Sequence, residues 1–434
     1  MTLLPAAARQ APQSPPPQEA GPGSGAPSPS LCSDETAVAA DLELDGLAWP
    51  VAPGKAPHLP PCPSLPLPGD LRLSCMTNGS GRHFLLSSTI KRGTYGKLKY
   101  ALPIDDLTEA FAVKELRLKP CEPRPGKDPT LSRQQRRRTA VTPWEVMRLE
   151  WSMSRRFGGP FAPHHGLVLD RRAYFFFDMA ADTLLGVVTG GTPAPYRALL
   201  ARYVAREVGG TLLAMRNHGA LHLDVSPSNI LLSKQAPYVA LADFGTSQAV
   251  PSAPYAYGQA STYCSPEAVL HKGTISSRTD LWSLGASLLT VLKPPKPALL
   301  ACVLREDDGL DREGTALMLQ DFLNVGAGER ADSAHPTVAW LRRCEQVDGP
   351  LTALLLRTVL VRKPQRSHVA KFLQDLQQLP PLPGFADIDH AMDALARSWA
   401  DKHRSSAEYA AMDALRAWLH HRGHLPQEPR VEAA

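Results

Sequence analysis

Three oxygen-bearing side chains lie close together in the stretch HLDVSPSNILLSKQAPYVALADFG, which runs from residue 222 to 245. Asp224 and Asn229 occupy a polar loop, and Asp243 follows two short apolar runs that a polar turn separates. Such runs predict a β-hairpin, which brings its two flanking loops together. Carboxylate and amide oxygens are the ligands that Mg²⁺ prefers, and bound Mg²⁺ usually keeps substrate phosphates as further ligands. The pattern therefore predicts a phosphoryl-transfer site.

The segments before this stretch predict the strands and the helix that must position it. HFLLSSTIKRGTYGKLKYALP, from residue 83, predicts two strands around a glycine turn, and EAFAVKELRL, from residue 109, predicts a third. A polar insert separates them from a helix that begins at Pro143, with Thr142 as its N-cap. RAYFFFDM, from residue 172, predicts another strand, and the chain beyond it is mainly helical.

The composition excludes several classes of protein. A net charge of +5 over 434 residues gives no reason to expect direct nucleic-acid binding. The seven cysteines are scattered and never form a CxxC pair, which argues against a disulfide framework and a zinc site. The His pairs at 164–165 and 420–421 lack further ligands at metal spacing. No secretory signal and no apolar run of membrane length are visible, so we expect a soluble intracellular protein without a membrane anchor.

Both ends of the chain differ from its middle. Residues 1–80 are dominated by Pro, Ala, Gly and Ser and predict a disordered leader, with a proline-rich ligand for partner domains as the alternative. Near the other end, DIDHAMDALARSWADKH and SAEYAAMDALRAWLHHRG predict two amphipathic helices that form a hairpin packed on the main domain. In the polar insert, the arginines within 133–138 are a candidate nuclear import signal or a solvated basic loop.

From about residue 84 to 379 the chain resembles a protein kinase, because the signatures of that family occur in their usual order. After the glycine turn and Lys114 come HLDVSPSN, DFG, YCSPEAV, TDLWSLG and VRKPQRS. The resemblance implies an α+β bilobal fold within 81–380. A small β-rich N-lobe would cover 81–178 and a large helical C-lobe 179–380, with the disordered leader before them and a helical extension, 381–434, after them.

The loop HLDVSPSN and the DFG motif would carry the chemistry that the resemblance implies. Asp224 would accept the proton of the substrate hydroxyl, and Asn229 and Asp243 would bind Mg²⁺. Two residues depart from the family pattern. Leu223 replaces the arginine that usually precedes the catalytic aspartate, and Ser226 replaces the lysine that would touch the γ-phosphate. Without that lysine, the loop does not tell a serine/threonine kinase from a tyrosine kinase.

Lys114 in FAVKEL matches the strand lysine that contacts the α- and β-phosphates of ATP in this family. That lysine needs a carboxylate from the following helix, and both Glu145 and Glu150 qualify by type. An acid in the first turn, such as Glu145, commonly just favours the helix dipole. Glu150 lies in the middle of the helix, as the family pattern requires, and is the preferred partner.

The nucleotide would lie between the glycine turn and the strand RAYFFFDM. Glycine lets the backbone approach the phosphates closely, and Lys91 takes the place of the first glycine of the usual triplet. Phe177 would be the gatekeeper of the adenine pocket. The residues that the resemblance implies for ATP binding are Ile90, Gly93, Gly96, Leu98, Ala112, Lys114, Phe177, Asp178 and Met179.

Two other classes fit part of the pattern. Small-molecule phosphotransferases of the aminoglycoside kind also have an HxDxxxxN loop, but YCSPEAV, TDLWSLG and VRKPQRS favour a protein kinase. In protein kinases Asp280 would brace the catalytic loop, and Glu267 would pair with Arg366. A pseudokinase scaffold is the other alternative, and it would be expected to lack one of four residues that this chain retains: Lys114, Asp224, Asn229 and Asp243.

The loop HLDVSPSNILL, with Ser-Pro-Ser between the aspartate and the asparagine, resembles the conserved protein kinases of herpesviruses, especially the gammaherpesvirus branch. This resemblance implies an ATP- and Mg²⁺-dependent serine/threonine kinase of the virion tegument and the host cell nucleus. Its substrates would be viral and host nuclear proteins, and some relatives also phosphorylate antiviral nucleoside analogues. Divergent fungal kinases with related DxSPxN loops are the alternative.

Overall fold

The computed structural model describes residues 47–48, 74–77, 82–92, 96–118, 143–169, 172–249, 263–269, 275–293, 312–326 and 336–421. Gly93, Thr142, the arginine cluster at 133–138 and the loop at 250–262 lie outside these described residues. All of the described residues belong to one unit, Leu42–Ala434.

The first part of this unit is a β-sheet with one helix packed on it, here called the sheet lobe. In chain order its strands are β1 (Leu47–Ala48), β2 (Ser74–Thr77), β3 (His83–Leu86), β4 (Lys91–Arg92), β5 (Gly96–Pro103), β6 (Phe111–Arg117), β7 (His165–Leu169) and β8 (Arg172–Asp178). Helix α1 (Pro143–Phe157) lies between β6 and β7. The order in the sheet is β1-β7-β8-β6-β5-β3-β2, with β4 on β5. Only the short β1–β7 pair is parallel among the described strands.

Helix α1 packs on the sheet because its apolar residues recur at helical spacing and so share one face. Met147 and Trp151, four residues apart, lie on one face and are fully buried. They join Leu116, Val168 and Phe175 of three strands in one apolar cluster. The same helix face carries Glu150, so the packing that fixes α1 also directs this carboxylate inward.

The sheet begins earlier and is more divided than the sequence predicted. Strands β1 and β2 lie within residues 1–80, the predicted disordered leader, and Met76 of β2 is buried. The N–H and C=O groups of an edge strand can hydrogen-bond a further short segment of chain. A strand of two to four residues is hard to predict within a Pro-rich composition. The sequence predicted two strands around the glycine turn, but the structure has three, because the first is divided into β3 and β4.

The second part, here called the helical lobe, begins at β9 (Asp182–Thr183). It contains α2 (Leu184–Thr189), α3 (Ala194–Asn217), β10 (Ala220–Leu221), β11 (Ile230–Leu232), β12 (Val239–Leu241), β13 (Gln248–Ala249), α4 (Pro266–Val269), α5 (Ser277–Leu292), α6 (Arg312–Gly326), α7 (Pro336–Leu354) and α8 (Val369–Gln377). The apolar helices α3 and α5 form its centre. Gly285 allows α5 to pack closely against the turn that follows α7, since a Cβ there would lie 2.6 Å from Cγ1 of Val359.

The C-terminal extension contains two helices that bind different lobes. Met392, Leu395 and Ala396 of α9 (Ile388–Ser398) join the core of the helical lobe. The apolar face of α10 (Ala407–His421) packs instead on the sheet lobe. The predicted helical hairpin is therefore wrong, because each apolar stripe is covered by a separate lobe. No helix among the described residues is long and apolar enough to cross a lipid bilayer.

Candidate active site

The two apolar runs of the opening stretch form the predicted hairpin. Ile230 of β11 is paired with Leu241 of β12, in antiparallel register. Just beyond the pair, the backbone N–H of Ala242 donates to the carbonyl of Asn229 at 2.8 Å. The loop before β11 and the loop after β12 therefore lie side by side, as expected from the sequence.

Asp224 and Asn229 are joined directly within the first of these loops. The side-chain amide of Asn229 donates to the Asp224 carbonyl at 2.9 Å and to its carboxylate Oδ2 at 2.8 Å. Burial raises the pKa of Asp224 to about 6, and the carboxylate of Asp243 adds to the shift, while Asn229 opposes it. Asp224 is thus a carboxylate poised near neutral pH, which suits a group that must accept a proton.

Asp280, at the start of α5, holds the backbone of this loop. Its two carboxylate oxygens accept from the N–H of His222 at 2.9 Å and from the N–H of Leu223 at 2.7 Å. Leu223 has a φ of +68°, in the left-handed region that costs a non-glycine residue about 1–2 kcal/mol. The two charge-assisted bonds offset this strain. The prediction that Asp280 braces the loop is confirmed.

His222 is neutral and has a fixed tautomer. Burial lowers its pKa to about 4. Its Nδ1 accepts from the N–H of Asp224 at 3.2 Å, so its Nε2 carries the proton and donates to the carbonyl of Ala242 at 3.2 Å. His222 therefore ties the Asp224 loop to the residue before Asp243.

Lys114 brings the sheet lobe into the same site. Its ammonium contacts the carboxylate of Glu150 and donates to Oδ1 of Asp243 at 2.7 Å. Of the two glutamates considered from the sequence, Glu150 makes this contact, and Glu145 lies exposed in the first turn of α1. Although burial opposes it, the field of Asp243 and Glu150 raises the pKa of Lys114, which therefore stays charged.

The two carboxylates beside Lys114 respond in opposite directions. Burial raises the pKa of Glu150 to about 6, with Lys114 only partly opposing the shift. Lys114 lowers the pKa of Asp243, whose side chain is 46% exposed. Gly245 fits closely between them, since a Cβ there would lie 3.0 Å from Oε2 of Glu150. Asp243 itself has a φ of +63°, which turns the chain sharply at this point.

Four of the residues expected to surround a nucleotide share one face of the sheet. Ala112 is opposite Phe177, and Lys114 is opposite Leu98, in the antiparallel registers of β6. Directly opposed residues of neighbouring strands point to the same side. Gly96 allows close strand pairing, since a Cβ there would lie 2.5 Å from the carbonyl of Glu115.

The other residues of this set lie around the junction between the lobes. Asp178, the last residue of β8, is exposed and pairs with His164 at 2.8 Å. Ile90 and Met179 are partly buried against the apolar cluster that α10 completes. Gly93 is the one predicted site residue that lies outside the described residues.

A second ion pair lies at the far end of the segment that starts with Asp243. Arg366 donates to both carboxylate oxygens of Glu267, at 2.7 and 3.2 Å, and both side chains are buried. Arg366 also donates to the carbonyls of Arg278 at 2.9 Å and Val361 at 3.1 Å. Burial alone would raise the pKa of Glu267, but Arg366 lowers it. The predicted Glu267–Arg366 pair is confirmed.

The contacts of α10 with the sheet lobe were missed from the sequence. The guanidinium of Arg416 donates to the carbonyls of Asp106 at 3.1 Å and Leu107 at 2.8 Å. Glu408 accepts from the N–H of Ser88 at 2.9 Å and from its hydroxyl at 2.6 Å. The only signal in the sequence was the apolar stripe of α10, which indicates burial but does not name the covering surface.

Comparison with known proteins agrees with this geometry. Residues 146–300 match the family model described as the protein kinase domain. The serine/threonine-protein kinase PKH1 of Saccharomyces cerevisiae is 34% identical over 113 residues, which are 22% of this chain and 14% of the yeast protein. The serine/threonine-protein kinase PKZ1 of Phytophthora infestans is 36% identical over 118 residues, 23% of this chain and 29% of that protein.

The dual specificity mitogen-activated protein kinase kinase dSOR1 of Drosophila melanogaster is similar to a comparable extent. It is 31% identical over 118 residues, which are 25% of this chain and 29% of the fly protein. The chain thus matches less than a third of the length of each of these relatives. The family match starts inside α1, and the strand that carries Lys114 precedes it. Taken with the two lobes, the match means that the chain contains a protein kinase domain with a β-sheet N-lobe and a helical C-lobe.

Proposed function

We propose that this protein is an ATP- and Mg²⁺-dependent protein kinase that phosphorylates serine or threonine hydroxyls. The observation that carries the proposal is the meeting of two side-chain pairs, Lys114 with Asp243 and Asp224 with Asn229, on adjacent loops that the Ala242–Asn229 backbone bond holds together. Serine/threonine specificity is supported by the similarity to the serine/threonine-protein kinases PKH1 and PKZ1. Retention of all four residues speaks against the pseudokinase alternative.

The donor set fits Mg²⁺. Asn229 and Asp243 offer amide and carboxylate oxygens from adjacent loops, and the carboxylate of Asp243 is charged and accessible. These two residues would hold the ion, which would neutralise charge on the phosphates. Lys114 would contact the α- and β-phosphates, held in place by Glu150. Ile90, Leu98, Ala112, Phe177, Asp178 and Met179 would surround the adenine, with Gly93 and Gly96 along the phosphates.

The reaction we propose transfers the γ-phosphoryl group to a protein hydroxyl. The hydroxyl oxygen forms a bond to the γ-phosphorus, the bond from that phosphorus to the β–γ bridging oxygen breaks, and ADP leaves. The hydroxyl proton passes to Asp224. Its raised pKa, about 6, makes it a stronger base than an ordinary aspartate while leaving it ionised at neutral pH.

The test is a phosphorylation assay of the purified chain on an array of serine, threonine and tyrosine peptides. Asp224→Asn should lower the rate by at least about 100-fold, since general-base catalysis contributes about 10²–10⁴-fold. Asp375→Asn on α8, a matched change away from the site, should leave the rate unaltered. Near-normal transfer by a folded Asp224→Asn protein would contradict the proposed role, and transfer confined to tyrosine would contradict the specificity.

We further propose that the enzyme is a herpesvirus-type kinase that acts on viral and host nuclear proteins. The support is the resemblance of HLDVSPSNILL to that family and the arginine-rich stretch at 133–138. The relatives from yeast and fly support the second candidate, a divergent cellular kinase. Imaging the chain in host cells, with and without the arginines, separates the two. Nuclear accumulation that requires the arginines, and phosphorylation of nuclear lamins, would support the viral candidate.

The same family resemblance extends the proposal to other partners and places. The kinase would also be carried in the virion tegument, and nucleoside analogues would be a second class of substrate. Incubation of the purified chain with ATP and a nucleoside analogue tests the latter. Appearance of the nucleoside monophosphate in the wild type, and its loss in Asp224→Asn, is the expected outcome.

A further inference from the structure

Lys91 lies on the same face of the sheet as Lys114. Lys91 of β4 is opposite Leu98 of β5, and Leu98 is opposite Lys114 of β6. Directly opposed residues in antiparallel strands point to the same side, so both lysines face the helical lobe, roughly 10 Å apart across two strand spacings. The N–H of Ile90 also donates to the carbonyl of Leu98 at 2.9 Å, so the strand is irregular just before Lys91.

The catalytic loop lacks a positive charge where the family pattern has one. Ser226 occupies that position, is 7% exposed and carries a short neutral side chain. Lys114, held by Glu150 and Asp243, is proposed to contact the α- and β-phosphates and therefore does not supply the charge at the end of the phosphate chain. In the transition state the negative charge of the transferred phosphoryl group is spread over its three equatorial oxygens, and a cation at that end stabilises it.

Lys91 faces the loop of Asp224 closely enough for its charge to act on that carboxylate. Its charge is one of the influences that lower the pKa of Asp224 against the effects of burial and Asp243, and Lys114 is the other cation among them. Lys91 is exposed, and no carboxylate of the described residues forms an ion pair with it. Its ammonium group is therefore available to a ligand.

The neighbouring residue provides an internal comparison. Arg92 is opposite Lys97, and Lys97 is opposite Glu115, so Arg92 lies on the other face of the sheet. In agreement, Arg92 is among the cations that, after burial, lower the pKa of Lys97. The two adjacent basic residues thus have similar charge and exposure but face opposite directions.

We propose that Lys91 binds the terminal phosphate of ATP and supplies, from the N-lobe, the positive charge that Ser226 does not. The inference rests on the proposed kinase function. It assigns to Lys91, at the place of a glycine in the family pattern, a direct contact with the transferred group. Lys91 is then a catalytic residue, and Arg92 is not.

The experiment compares Lys91→Ala, Lys91→Arg and Arg92→Ala in the full-length chain. Lys91→Ala should lower kcat by about 100-fold, as loss of one preorganised charge donor does. Lys91→Arg should retain most of the activity, and Arg92→Ala should match the wild type. Calorimetry with Mg²⁺ and either ADP or a non-hydrolysable ATP analogue supplies a second readout. Lys91→Ala should lower the preference for the triphosphate by about tenfold without changing the affinity for ADP.

A relocated charge gives the most specific result. The double variant with Lys91→Ala and Ser226→Lys should recover at least about tenfold of the lost kcat, because the new lysine restores the cation from the opposite lobe. Equal rates for Lys91→Ala and Arg92→Ala, or equal losses for ADP and the triphosphate, would overturn the inference. If the wild type transfers no phosphate to any substrate, the kinase proposal fails instead, and the triphosphate preference still decides the role of Lys91.

Discussion

The chain segment from Asp243 to Glu267 begins at one ion pair and ends at another, and the two differ in how fully their buried glutamate is hydrogen-bonded. At the first, Lys114 is shared between Asp243 and Glu150, and no donor among the described residues reaches Oε2 of Glu150. At the second, both terminal nitrogens of Arg366 bind both oxygens of Glu267. Within the described part of the chain, the glutamate carboxylate is thus left with one unbonded oxygen at the first pair and is bonded through both oxygens at the second, where the unbonded buried atom is instead Nε of Arg366.

The pKa values of the two glutamates express this difference. Burial raises the pKa of Glu150 to about 6 despite Lys114, whereas Arg366 lowers that of Glu267 against the effect of burial. A buried ion pair stabilises a fold only when its geometry and hydrogen bonds offset desolvation. The first pair, in which one carboxylate oxygen of Glu150 lacks a donor from the described ranges, suits a site that must also bind phosphates and Mg²⁺. The second suits a permanent clamp.

The largest effect is expected on activity at the first pair. Lys114→Met removes the cation proposed to contact the phosphates and should lower the initial rate of peptide phosphorylation by at least about 100-fold. The expected loss of stability is only about 1–3 kcal/mol, because Glu150 can take up a proton when its partner is removed. Urea unfolding of the same preparation measures the change in the free energy of unfolding. A Lys114→Met protein that phosphorylates peptides at the normal rate would contradict a functional role for this pair.

The largest effect on stability is expected at the second pair. Arg366→Met leaves Glu267 buried without its partner and should lower the free energy of unfolding by about 3–5 kcal/mol. Lys371→Met, which breaks an exposed pair with Asp375, should cost no more than about 0.5 kcal/mol. Urea titration of the two variants and the wild type measures both. If Lys114→Met proved more destabilising than Arg366→Met, the contrast between the two pairs would be wrong.

The pH dependence of activity should follow the carboxylates of the site that contains the Lys114 pair. Burial raises the pKa of Asp224 to about 6, so its basic form is lost as the pH falls through 6, and kcat should drop about tenfold per pH unit below it. Stability should not fall in step. Raised carboxyl pKa values mean that the folded state binds protons more tightly, so acidification to about pH 5.5 removes no stability through Asp224, Glu150 or Asp280.

Glu267 changes the stability in the opposite direction. Its pKa is lower in the folded than in the unfolded protein, so it contributes stability above its unfolded pKa, and that stability is lost as the pH falls further. Circular dichroism at each pH of the rate profile separates the two effects. A kcat that stays flat between pH 7 and 5 in a folded protein would exclude Asp224 as the base.

Local patterns in the sequence predicted much of the site, and long-range packing accounts for what they missed. The β11–β12 hairpin and the bracing by Asp280 follow from apolar periodicity and motif order along neighbouring residues. The surface that covers α10 could not be predicted, because an apolar stripe records that it is buried but not by what. The partners of Arg416 in the sheet lobe are backbone carbonyls of a loop about 310 residues earlier, whose residue types give no sign of the contact.

The smallest effect is expected from phosphorylation of the segment between the two pairs, where Ser252, Tyr255, Tyr257, Ser261 and Thr262 lie outside the described residues. In kinases that need such a phosphate, it pairs with an arginine before the catalytic aspartate. Leu223 takes that place, is buried and offers no charge. Because Lys114 binds one end of the segment and Arg366 the other, we predict activity without an upstream kinase. Chain made in bacteria and treated with phosphatase, which is then removed, should keep its initial rate on an added substrate within about twofold. A lag that only rephosphorylation of this segment abolishes would show that a basic residue other than the missing arginine anchors the phosphate.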